Sequence, residues 1–215
     1  MKDKRTDKEK IIESFRDGQV IAVGGQAGHG RPERLIDLLI ESGVKHLTTL
    51  SLDTGEPDGG VGKLVHHGMV DKMIAAYAGR NQEAVNLYNQ GKLEFELMPM
   101  GTFIERIRAA GMGLGGILTK TGIGTVMEET HQKISLNGEE YLLEPALRPD
   151  VAITRARKAD PIGNLTFHGT GHNSNPVMAM SGKLSIVEAD YLFDLGELNP
   201  DEVKVPFPFV DMILK

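Results

Sequence analysis

Between Asp17 and Pro32 the chain reads D-G-Q-V-I-A-V-G-G-Q-A-G-H-G-R-P, and few folds accommodate such a stretch. Val20 to Val23 form an apolar run of the length expected for a strand buried on both faces. Gly24, Gly25, Gly28 and Gly30 follow at once. They allow close backbone approach and positive φ angles that side chains forbid. Pro32 then suits a first helical position, where a missing N–H costs nothing. Strand, glycine loop and helix in that order predict exposed amide donors at the loop, the usual ligand position of an α/β protein.

The flanking sequence extends this pattern. Thr6 to Arg16 reads as a helix, with Thr6 and Glu9 at capping-box spacing and Gly18 closing it. A second helix is expected from Pro32 to Ser42, burying Leu35, Ile36, Leu39 and Ile40, and a strand at Leu47–Leu52. A β-loop-α-β unit of this kind is normally right-handed with parallel strands. Further strands are expected at Met73–Ala78, at Leu93–Met98 as an edge, at Val151–Thr154 and at Leu184–Val187. Helices are expected at Asn81–Gln90 and after Pro99, the latter capped by Thr102 with Glu105. Asn137-Gly138 between alternating runs predicts a type I′ hairpin. Pro206 and Pro208 exclude a regular helix in the tail, which should pack as extended chain. The fold class is therefore α/β, an open, mostly parallel twisted sheet flanked by helices with a β-hairpin excursion. No linker is evident, so residues 1–215 are read as one domain.

Composition limits the function. A net charge of −6 disfavours nucleic acid or an anionic membrane as default partner. No apolar run approaches a membrane span, and the charged N-terminus lacks a signal-peptide core, so a cytoplasmic protein is expected. With no cysteine, disulfides, thiolate nucleophiles and Cys-ligated zinc are excluded. The histidines make no metal pair of the HExxH type, and His66 and His67 point apart as neighbours do. Glu128-Glu129 and Glu139-Glu140 read as solvated faces. The glycine loop is neither a P-loop nor a dinucleotide fingerprint, since no Gly-Lys-Ser/Thr follows and Gly28-His29-Gly30 has no glycine three residues on. It could bind a ligand or simply pack tightly. No nucleophile–base pair can be assembled, as if the chain were half of a shared site.

With these residues in view, the chain resembles the A (α) subunit of family I CoA-transferases of the 3-oxoacid type. The signature of that subunit is matched by Asp17-Gly18, Ile21-Ala22-Val23, Gly24-Gly25, Gly30 and Pro32. Further matches are Asp53-Thr54 with Gly60, Gly62 and Lys63, Ile104 to Ala109, Gly113 to Gly116, Thr121-Gly122, Gly163-Asn164-Leu165 and Asn173 with Asn175-Pro176. The resemblance implies transfer of CoA between an acyl-CoA and a short-chain carboxylate or 3-oxoacid, of the acetoacetate, butyrate or acetate class. It implies no tightly bound cofactor, with CoA and acyl-CoA as substrates, and no metal. The catalytic glutamate belongs to a Ser-Glu-Asn-Gly motif of the B (β) subunit, and that motif is absent here. No catalytic residue is therefore expected in this chain, which would act in a heterotetramer or higher hetero-oligomer. Gly24, Gly25, Gln26, Ala27, Gly28, His29 and Gly30 are the implied contacts to CoA and acyl group. The implied substrate pocket is Gln26, Leu52, Asp53, Thr54, Met100 and Gly101.

Departures fall in that pocket. The signature Phe is Gln26, the second-loop Asn pair is Leu52-Asp53, a Gln that resembles an oxyanion donor is Met100, and Arg-Asn-Phe-Asn is His172-Asn173-Ser174-Asn175. One expectation is that Gln26 supplies the polar group that Met100 does not have; the other is that it only binds water at the rim. A ligand-sensing domain on a related isomerase/deaminase-like scaffold is the alternative. A sugar-phosphate isomerase would need a basic phosphate site and an internal base, and neither is apparent.

Overall fold

The structure is a computed structural model describing residues 2–215. Its strands are β1 (Arg5–Thr6), β2 (Val20–Val23), β3 (Leu47–Asp53), β4 (Val70–Tyr77), β5 (Glu94–Leu97) and β6 (Gly116–Thr119). They continue with β7 (Lys133–Leu136), β8 (Glu139–Pro145), β9 (Val151–Ala159), β10 (Leu165–Thr166), β11 (Leu184–Leu192) and β12 (Met212–Leu214). The helices are α1 (Lys8–Ile12), α2 (Glu33–Glu41), α3 (Gly62–His66), α4 (Gln82–Asn89), α5 (Met100–Gly111), α6 (Met127–Thr130) and α7 (Asn175–Ala179).

The main sheet runs β1-β12-β11-β9-β2-β3-β4-β5, with β10 beside β9. Every pairing along that path is parallel; only β10 is antiparallel. The expected mostly parallel α/β sheet is what forms. Helices cover both faces because successive strand side chains alternate. Ile21 and Val23 pack with Leu35, Ile36, Leu39 and Leu64 on one face. Ala22, between them, packs with Phe103, Ile107, Val177 and Met178 on the other. Phe103, Leu35 and Ile21 are wholly buried; truncating such a side chain to alanine costs about 2–5 kcal/mol. The hairpin excursion is a separate three-stranded sheet, β6-β8-β7, and Asn137 and Gly138 turn it at φ 54° and 79°, as a type I′ turn requires.

Several local expectations give way to non-local pairing. Thr6 does not cap a helix: it pairs with Leu214 in β1–β12, its hydroxyl donates to the Lys4 carbonyl, and α1 is five residues long. Pro32 is the N-cap of α2 rather than its first residue. The α5 helix starts two residues before Thr102, with Pro99 as N-cap, leaving the Thr102 hydroxyl buried without a partner. Strand β5 is the expected edge, but Leu97 at its end is open to solvent. The tail makes a 3₁₀ turn at Phe207–Phe209 before β12.

Candidate functional site

The site is built at the C-terminal ends of β2, β3 and β9, where strands hand over to loops. Two successive loops close in the same way. Gln26 and His29 exchange both backbone hydrogen bonds, at 3.0 and 2.9 Å, and Glu56 and Gly59 do the same at 3.2 and 3.0 Å. Ala27 and Gly28 turn the first loop at φ 49° and 89°. This loop repeat escapes the sequence because one tip is Ala-Gly and the other Pro-Asp.

Asp53 joins the loops. Its Oδ2 accepts the Ala27 amide at 2.7 Å and its Oδ1 the Gly55 amide at 2.9 Å. Arg31 runs beneath the second loop to Glu56, which Arg80 also engages. Burial raises the Glu56 carboxyl, and the hydrogen bonds from Arg80 and Arg31 more than reverse this, holding it below the ordinary value. From below, α7 supports the first loop. Ser174 Oγ accepts the Gly25 amide at 3.2 Å. Asn175, wholly buried, accepts from the Arg155 amide and donates to the Gly30 carbonyl at 2.9 Å. A Cβ on Gly24 would lie 2.0 Å from Asn175 Oδ1, so only glycine fits there.

These bonds correct the expectation of a cradle of exposed amides. The amides of Gly24, Gly25, Gln26, Ala27 and His29 are all taken up within the protein, leaving Gly28 and Gly30 in the loop. The amide of Ala27 is bonded to the Asp53 carboxylate, whose negative charge opposes an anion there. The loop is closed by internal hydrogen bonds rather than open as an anion nest.

Beside the first loop, Gln26, Met100 and Asn173 meet. Asn173 Nδ2 donates to Gln26 Oε1, and Gln26 Nε2 then lies 3.9 Å from Met100 Sδ. The structure thus brings Gln26 and Met100 together, while Asp53 is bonded to the amide that follows Gln26. Leu52 lies in the core with Phe103 and Ile107, and Thr54, wholly buried, donates its hydroxyl to the Ala78 carbonyl. Gly101 is exposed on α5 with open space around it. His29 is exposed in the first turn. Glu128 and Glu139 pair with Lys133 and Lys120 at the surface. Among the described residues no three His, Asp or Glu side chains converge as a metal site, and no helix is long and apolar enough to cross a membrane.

Sequence reasoning passed over Arg155 and Arg157 of β9. They form a cleft of about 370 Å³ with Asp190, the turn at 28–30 and the segment 167–171. Their spacing carried a signal: two arginines two apart, following the apolar start of a strand, share one face.

Fold and site together define an open parallel α/β protein with two hydrogen-bonded loops, joined by Asp53, at its strand C-termini. The sequence model of the coenzyme A transferase family matches residues 5–215, and the chain belongs to that family. It is 45% identical over 200 residues to the acetate CoA-transferase subunit alpha of Escherichia coli, covering 93% of this chain and 91% of that one. It is 44% identical to the acetoacetyl-CoA:acetate/butyrate CoA transferase alpha subunit of Clostridium acetobutylicum, covering 96% and 95%. An acyl-CoA transferase from E. coli O157:H7, solved as a thioester complex with CoA, shares the fold at a TM-score of 0.86 and 21% identity. The match covers 99% of this chain but 47% of that longer one.

Proposed function

We propose that this chain is the α subunit of a heteromeric CoA-transferase and supplies one wall of a site whose catalytic glutamate stands on a β subunit. The observation that carries the reading is the double loop tied by Asp53, with Gln26 and Met100 in contact beside it. It lies at the strand ends where such folds bind ligands. Covalent catalysis on the partner's carboxylate gives each side a role. The glutamate attacks the thioester carbonyl and expels CoA thiolate, leaving an acyl-glutamyl anhydride. The thiolate then attacks the glutamyl carbonyl and releases the first carboxylic acid. The second carboxylate reverses both steps. Each addition places negative charge on a carbonyl oxygen, where fixed dipoles act most strongly. In this reading the Gln26 amide, whose oxygen is engaged by Asn173, donates to that oxygen. The substrates are short acyl-CoA thioesters and carboxylates of the acetate, butyrate and acetoacetate class, and the assembly is a heterotetramer or higher hetero-oligomer in the cytoplasm.

The test is co-expression with a chain of related sequence carrying Ser-Glu-Asn-Gly, followed by an assay of CoA transfer from acetoacetyl-CoA or butyryl-CoA to acetate. Transfer is expected only when both chains are present. Transfer by this chain alone, or none by the assembled pair, overturns the reading.

A further inference from the structure

The cleft at Arg155 and Arg157 has no part in the chemistry above, and Gln26 and Met100 do not line it. Two guanidiniums share one acid there. Arg155 Nε and Nη2 both lie 2.8 Å from Asp190 Oδ1, and Arg157 Nη1 lies 3.1 Å from Asp190 Oδ2. Two positive charges against one negative leave an excess of one in a chain whose net charge is −6. Composition does not produce this patch. Asp190 occupies one part of each guanidinium, and a guanidinium has five N–H donors. Among the described residues no other protein acceptor is bonded to these two side chains. Each is 41% exposed, so the unused donors are within reach of a ligand.

The arrangement is also fixed in advance. Asp190 holds both guanidiniums, and the Arg157 guanidinium lies 4.6 Å from the centre of the Tyr191 ring. An incoming anion would not have to order long flexible side chains, which is a main cost of binding. The other acid nearby, Glu188 on the same strand as Asp190, is 5% exposed and accepts the Leu35 amide. It faces α2 and does not line the cleft. A planar donor fork aimed into a concave space suits a carboxylate or phosphate.

Resting on the CoA-transferase reading, we propose that this cleft is an anion subsite for a phosphate or carboxylate that the substrate carries away from its reacting carbonyl. Two parts of the substrates have that chemistry: the nucleotide phosphates of CoA, and the distal carboxylate of a dicarboxylic acid.

The experiment uses the assembled two-chain enzyme and the variant Arg157→Gln, in which Arg155 still holds Asp190. Butyryl-CoA is compared with the butyryl thioester of pantetheine, which lacks the nucleotide phosphates, and acetate with succinate as acceptor. The expected result is a rise in KM of about tenfold for one member of a pair only, the scale of a charge-assisted hydrogen bond. With kcat little changed, this is the mark of weakened ground-state binding. A change for butyryl-CoA alone assigns the phosphates; a change for succinate alone assigns the carboxylate. Arg157→Lys should restore part of the affinity. Equal effects on both members of each pair, no effect, or loss of subunit association in sedimentation overturns the inference. Failure of the unmutated enzyme to transfer CoA would instead overturn the functional reading beneath it.

Discussion

Asp53 accepts the Ala27 amide at 2.7 Å, so the end of one strand fixes the loop that leaves its neighbour. Ala27 needs fixing: its φ of 49° is left-handed, which costs a residue with a Cβ roughly 1–2 kcal/mol. The second oxygen of Asp53 holds Gly55 at 2.9 Å. Asparagine in its place offers one oxygen and one NH₂, so one of the two amides would face a donor. Asp53→Asn should lose about 1–3 kcal/mol, the cost of a buried unsatisfied group. Urea unfolding measures it, and an unchanged midpoint and slope would show that the clasp contributes nothing.

Two glycines of the same loop should respond differently to alanine. At Gly24 the new methyl would lie 2.0 Å from Asn175 Oδ1. Asn175 also holds the Arg155 amide and the Gly30 carbonyl, so it cannot move without breaking both. At Gly28 nothing lies within 4 Å, and only the φ of 89° is unfavourable. Gly28→Ala should cost about 1–2 kcal/mol from backbone strain, and Gly24→Ala more than that, with overpacking and broken hydrogen bonds added. Thermal unfolding of both variants decides; equal losses would mean that Asn175 does not determine the glycine.

The parallel sheet is legible in the sequence because its signals are local: an apolar run at Val20–Val23 and a Leu- and Thr-rich one at Leu47–Leu52, each followed by a glycine-rich loop. Local signals mislead where distant chain decides. Thr6 and Glu9 have capping-box spacing, yet the Thr6 backbone is claimed by Leu214 at the other end of the chain. The position of the glycine loop is readable, but the use of its amides is not. The acceptors of the Ala27 and Gly25 amides, Asp53 and Ser174, are 26 and 149 residues away. The alternation of Arg155 and Arg157 is readable too, but their convergence on Asp190 needs the pairing of β9 with β11.

Burial holds the Glu188 carboxyl above its ordinary value, against the lowering effects of the Leu35 amide and the Arg155 and Arg34 charges. Its proton is thus bound more tightly in the folded than in the unfolded chain. The sign follows from linkage: the favourable contribution is full below the unfolded value and is lost as pH rises through the folded one. Glu188→Gln keeps an acceptor for Leu35 and removes the titration. The melting-temperature difference between variant and parent should therefore shift in favour of the variant from mildly acidic to neutral pH. A pH-independent difference would show that Glu188 does not titrate differently on unfolding.

Gln26 is the residue whose replacement tells most about the reaction. Asn173 occupies its oxygen, which turns the NH₂ group towards Met100 Sδ at 3.9 Å. Thioether sulfur is a weak acceptor, so a substrate oxygen would be the better partner for that N–H. If it meets the carbonyl oxygen as charge develops, Gln26→Ala should lower kcat by roughly tenfold or more in the two-chain enzyme, since loss of an oxyanion donor costs up to 10²–10³. The KM for acyl-CoA should change much less, because the contact tightens only in the transition state. A rise in KM alone would place the amide on the ground-state substrate instead. Unchanged turnover and affinity would leave Gln26 as a rim residue bound to water, since water can replace a truncated side chain there without touching the chemistry. Gln26→Phe separates these cases further. It removes the donor and fills the space, so a donor role predicts the same loss of kcat as alanine, whereas a purely steric role predicts that alanine and phenylalanine shift acyl-chain preference in opposite directions.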